Sequence, residues 1–190
     1  MTLDPAFHAL AVCLTALVFV HAGVSKLLAR EEFQGVVANY HLLPAALIAP
    51  FAVLLPIAEL GAGLGVLAVA TRSSAALLAA GLLLLLAAAM GINLARGRRE
   101  IDCGCFKSAF KQTISGWLIA RNLLLAGVAL ALLLPPSGRA PGVLDYVTAV
   151  AGGVMLFLGY YAAGVLTRRP VARDDAALAR AASKTRWKAP

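Results

Sequence analysis

Long stretches of apolar residues alternate with short polar connections along the chain. Five such stretches can be read, at about residues 6–28, 44–70, 74–95, 116–134 and 143–166. Each has roughly the 17–25 residues that a helix needs to cross about 30 Å of hydrocarbon. In lipid every backbone donor and acceptor must be satisfied within the segment, so these stretches are expected to be helices. The fourth is short but sufficient. The fifth is apolar all round, which argues against its lying on the membrane surface. The expected fold is therefore all-α, a polytopic membrane helix bundle of about five transmembrane helices. It occupies residues 1–168 and is followed by a basic tail, 169–190.

Composition strengthens this picture. Of the 190 residues, 61% are hydrophobic and 14% charged, where a soluble domain is about half apolar and about a quarter charged. The net charge of +8 does not call for nucleic acid, because the Lys and Arg residues lie in loops and the tail beside apolar segments. Fourteen of the 17 basic residues fall in three regions: the first connection, the third connection and the tail. The positive-inside rule then puts the amino terminus outside and the tail, with Cys103 and Cys105, on the cytoplasmic side. The first nine residues hold no Lys or Arg, so the first stretch is expected to stay as a span rather than act as a signal peptide. The tail reads equally as an amphipathic helix on anionic lipid or as a solvated segment. No soluble domain, useful repeat or phosphate loop is evident.

Polar residues inside the spans are costly and tend to face a bundle interior. His21, Ser25 and Lys26 are expected on one face of the first helix. Lys26 either snorkels to the interface or takes part in the interior. His21 is a hydrogen-bonded bundle histidine or a proton-handling group. Glu59 lies near mid-membrane, where it must be protonated or matched by a cation such as Lys26 or Arg121. A structural ion pair is favoured over acid–base work. Pro56 is expected to kink the second span. Gly61 and Gly65 form a small-xxx-small pair suited to close packing. His21, Asn93, Arg121 and Asn122 are expected toward the same end as Lys26.

The sharpest chemical feature is residues 102–106, Asp-Cys-Gly-Cys-Phe. Arg98, Arg99, Lys107 and Lys111 surround Cys103 and Cys105, and positive charge stabilises a thiolate. Gly104 lets the chain turn tightly enough for a disulfide, and so small a ring should be readily reduced. A soft-metal site and two inert cysteines remain as alternatives. No further Cys or suitably spaced His completes a metal site nearby. Cys13, in the first span, is expected to pack as a small apolar residue. No resident cofactor is expected; a quinone is the one alternative left open.

These elements resemble those of a known family. Residues 21–27, His-Ala-Gly-Val-Ser-Lys-Leu, look like the first-helix signature of the DoxX-like membrane proteins. The closer resemblance is to the methylamine utilisation protein MauE family. The supporting pieces are Leu-Pro-Ile-Ala-Glu-Leu at 55–60, Asn-Leu-Ala-Arg-Gly at 93–97, the Cys-Gly-Cys-Phe element and Arg121-Asn122. Together they cover about residues 7–134. Lys107 stands where the broader family is expected to have glycine. The resemblance implies a four-helix DoxX-like core plus one helix, and an inner-membrane accessory role in methylamine oxidation. It also implies a client, the periplasmic, disulfide-rich methylamine dehydrogenase beta subunit with its tryptophan tryptophylquinone. A thioredoxin-like MauD protein is the implied co-worker.

Overall fold

The computed structural model describes residues 2–98, 110–111, 114–166 and 169–170. Six helices follow one another: α1 Pro5–Leu28, α2 Arg30–Asn39, α3 Ala45–Gly65, α4 Arg72–Ala95, α5 Gly116–Ala131 and α6 Val143–Leu166. Asp4 caps α1 by accepting from the Ala6 amide at 2.9 Å. Pro5, with no amide hydrogen to lose and a fixed φ, opens its first turn.

Four helices, α1, α3, α4 and α6, are long and apolar enough to cross a membrane. The chain is a multi-pass membrane protein. Helix α5 is shorter than the span expected at 116–134. Its 16 residues rise about 24 Å. The next three, Leu132, Leu133 and Leu134, continue as tighter turns bonded to the third residue back. The second span also ends early, at Gly65 rather than at residue 70. Thr71 Oγ1 donates to the Gly65 carbonyl at 2.7 Å, and Arg72 donates to the carbonyls of Val66 and Leu67 at 3.0 and 3.3 Å. These side chains satisfy acceptors that the stopped helix leaves open.

Helices α1, α3, α4 and α5 close a ring, each touching the next and α5 returning to α1. Helix α6 packs on the outside of α1. The bundle is thus a four-helix core plus one. Small residues line its interior: Ala52, Ala62, Ala76, Ala79, Ala126 and Ala129 are buried. In lipid, where apolar surface gains little by leaving the solvent, such residues let backbones approach for dispersion contact.

Of the expected pair only Gly65 makes a close approach, and Gly23 and Gly63 make others. Gly61 has open space around it, because its position on α3 faces away from the neighbouring helices. Gly63, two residues on, faces α1, where a methyl group would lie 3.0 Å from the Val20 amide nitrogen. On the opposing helix a methyl at Gly23 would meet the Pro56 carbonyl at 2.9 Å. Gly65 does make its contact, against Ala75 of α4.

Gly153 on α6 is packed against Cys13, whose sulfur would lie 2.7 Å from an added methyl. Cys13 therefore sits in the α1–α6 contact. Gly153→Leu is expected to overpack this contact and cost about 1–3 kcal/mol, read as a lower thermal midpoint in detergent. Gly159→Leu, on the same helix with nothing nearby, should leave the midpoint unchanged. Equal effects of the two would contradict the docking of α6 on α1.

Helix α2 was not among the expected elements. The 30–39 stretch looks like a charged connection, but Phe33 and Val37, four residues apart, are buried. They join Leu55 in the apolar core, so α2 covers part of α3. At the amino-terminal end of α1, Leu3 exchanges backbone bonds with the α5–α6 turn, through Pro135 and Ser137. Arg139 bridges Asp4 and Asp145 there. Its bonds to Asp145 first, and to Asp4, hold its already high pKa higher still.

Candidate functional site

An ion pair is buried between α1 and α3. Lys26 Nζ donates to Glu59 Oε1, and the two side chains are 5% and 2% exposed. Burial replaces the snorkelling that the position of Lys26 near the end of α1 allows. The Gly23–Pro56 and Gly63–Val20 contacts explain why: they draw α1 and α3 together and set Lys26 facing the Glu59 carboxylate. The ring of Phe33 lies 5.5 Å from the ammonium, so α2 completes the enclosure with a cation–π contact. Glu59 Oε2 is buried with no hydrogen-bond partner among the described residues.

His21 does not share this face. A five-residue step turns a helix by about 140° beyond a full turn, and His21 looks instead toward α6. Its ring meets Phe157 and Tyr161 edge-on at 5.5 and 5.7 Å. Phe157 stacks on Tyr160 at 6.3 Å, and the Arg121 guanidinium lies 4.7 Å from the Tyr160 ring centre. A row of aromatic side chains on α6 thus links α1 to the start of α5. The sequence shows this row as Phe-Leu-Gly-Tyr-Tyr at 157–161, but nothing in its spacing ties it to His21 or Arg121.

Asn93 is fully buried near the end of α4. Its amide donates to the Ala89 carbonyl at 3.1 Å, and its oxygen accepts from Arg98 at 3.4 Å. Gly97, at φ 75, ends the helix in the left-handed region. The amides of Gly97 and Arg98 return to the carbonyls of Leu94 and Asn93, both at 3.0 Å. This is a Schellman cap, and it fixes where the third connection leaves the bundle. The connection returns at Ile114, buried against Met90 and Leu118. Asn122, one turn and a half into α5, is also buried. Just before that return, β1 Phe110–Lys111 pairs antiparallel with β2 Arg169–Pro170, which joins the connection to the start of the tail.

Cys103 and Cys105 lie outside the described residues. Among the described residues no group of three or more His, Cys, Asp or Glu could hold a metal ion. The sequence-derived site residues therefore form three clusters: Lys26 with Glu59, His21 with Arg121 across α6, and Asn93 at the α4 cap. Lys26, Asn93, Arg121 and Asn122 lie near helix ends at one end of the bundle, the end from which the third connection leaves.

The sequence profile described as "Methylamine utilisation protein MauE" matches residues 4–135. The chain belongs to the MauE family. The matched region ends with the ring, before α6 begins. The chain is 40% identical to the methylamine utilization protein MauE of Methylophilus methylotrophus over 177 residues, 91% of this chain and 92% of the relative. It is 41% identical to that of Paracoccus denitrificans over 152 residues, covering 80% and 82%. The Paracoccus versutus protein is 40% identical over 175 residues, covering 92% and 94%. No solved structure matches the chain.

Proposed function

We propose that this MauE-family chain is an inner-membrane accessory protein of methylamine utilisation that supports maturation of the methylamine dehydrogenase beta subunit. In this reading Cys103 and Cys105 cycle between dithiol and disulfide, exchanging with a thioredoxin-like MauD partner. The amino terminus is periplasmic and the 169–190 tail cytoplasmic. Family membership supports the pathway. The observation that carries the rest is the anchoring of the third connection at both ends. The Gly97 cap holds its start and the Ile114 cluster its return. A redox pair needs a fixed platform for a partner to find it, and the bundle end provides one.

The distribution of basic residues supports a cytoplasmic side for the pair, whereas in this reading the client's disulfides form in the periplasm. The role that reconciles these is passage of reducing equivalents across the membrane in support of the client, rather than direct oxidation of it. Labelling with a membrane-impermeant maleimide in intact cells, in a Cys13→Ser background, tests side and redox state together. The expected result is no labelling until the membrane is opened, then a labelled fraction that rises after prior reduction. Labelling from outside would reverse the orientation, and labelling that reduction leaves unchanged would count against redox cycling.

A further inference from the structure

A cleft of about 1030 Å³ runs along α1, between the end of α3 and α6. At the end of the bundle away from the third connection it reaches the α5–α6 turn and Arg72, the first residue of α4. Its walls are apolar: Val12, Leu17 and Val20 of α1, Leu67 beyond α3, Val150 and Phe157 of α6. The lining follows α1 from Pro5 to Val24, about 29 Å of helix, which is long enough to hold an acyl chain along its whole length. The volume is at the top of the range of about 300–1,000 Å³ for small-molecule sites.

Two arginines stand in the lining, and their situations differ. Arg139 is held by Asp4 and Asp145. Arg72 has no carboxylate partner among the described residues. Its Nε and Nη2 donate to the Val66 and Leu67 carbonyls at 3.0 and 3.3 Å, which holds the guanidinium in place. Its Nη1 has no protein acceptor among the described residues. A fixed guanidinium with a full charge and one open nitrogen is suited to a phosphate oxygen. The cleft below it is suited to hydrocarbon.

We propose that this cleft is a phospholipid site, with the lipid phosphate at Arg72 and an acyl chain along α1. The charge chooses the occupant. A neutral amphiphile would fill the apolar walls equally well and leave the arginine uncompensated at the membrane boundary.

Native mass spectrometry of the full chain, released from detergent after incubation with dioleoyl phosphatidylglycerol or dioleoylglycerol, tests this. The chain should retain one phosphatidylglycerol and no diacylglycerol. Arg72→Gln should lower retention about tenfold, as loss of a charge-assisted hydrogen bond would. Ala9→Trp, which narrows the cleft and leaves Arg72 in place, should lower it similarly, and Arg30→Gln at the far end should not. Helix content by circular dichroism checks folding, and Ala9→Trp decides the matter if Arg72→Gln fails to fold. Equal retention of diacylglycerol, undiminished phospholipid in the folded variants, or a co-purified prenylquinone in place of phospholipid would each overturn the proposal.

Discussion

Glu59→Ala is expected to deplete the protein from the membrane and to lower its thermal midpoint in detergent more than any other single change considered above. The substitution leaves the Lys26 ammonium enclosed by apolar surface with no anion beside it. Removing one partner of a buried pair costs about 3–5 kcal/mol, a large fraction of the stability of a typical domain. Lys26→Met should be similarly damaging, because it strands the Glu59 carboxylate, one of whose oxygens already lacks a hydrogen-bond partner among the described residues. The paired replacement Lys26→Met with Glu59→Leu removes both charges and fills the space with hydrocarbon. Such replacements are often neutral, so most of the lost stability should return. Levels in membranes by immunoblot, with thermal melts of the purified variants, measure this. A double variant no better than the singles would mean that the pair is not coupled as the geometry indicates. A double variant that is stable but does not support growth on methylamine would give the pair a part in function as well as in folding.

The same pair shows how much could be read from the sequence. Hydropathy locates the five apolar helices, since lipid demands long apolar segments and little else can satisfy the backbone there. It also makes Glu59 conspicuous and offers Lys26 as one of two cations to match it. What decides between Lys26 and Arg121 is helix phase. Gly23 and Gly63 bring α1 against α3, while Arg121 is drawn to the aromatic row of α6. Phase also separates His21 from Lys26 and turns Gly61 away from its neighbours. These are differences of one or two residues in rotation, and hydropathy is nearly blind to them when every side of a helix is apolar.

Helix α2 is hidden for a different reason. Its polar residues outnumber its apolar ones, so it does not register as a span. Only the four-residue spacing of Phe33 and Val37 marks its buried face. Once that helix is in place, Phe33 becomes part of the ion-pair enclosure. The chain between α1 and α3 thus shields the buried charge as well as linking the two helices.

On the proposed thiol–disulfide function, replacing Cys103 or Cys105 with serine carries the largest expected functional effect. Growth on methylamine and accumulation of correctly disulfide-bonded beta subunit should fall to background, while the variant itself stays at normal levels in the membrane. The two readouts must part company in this way because the cysteines belong to the third connection, outside the buried pair and the ring. The two single variants should also differ from each other. Thiol–disulfide exchange passes through a mixed disulfide, which the second thiol of the pair resolves. Losing the resolving thiol should therefore trap the protein on its partner, visible as a reduction-sensitive band of higher mass on a non-reducing gel. Losing the attacking thiol should give no such band. Basic residues near the pair in sequence would favour the thiolate that starts such an exchange, so on this reading charge reversal at Lys107 and Lys111 should slow trapping without abolishing it. A non-redox scaffold predicts the opposite pattern: both serine variants would support normal levels of mature beta subunit, and any complex with it would survive loss of both thiols. Normal client maturation in the double serine variant would remove thiol chemistry from the function and leave the bundle as a binding platform.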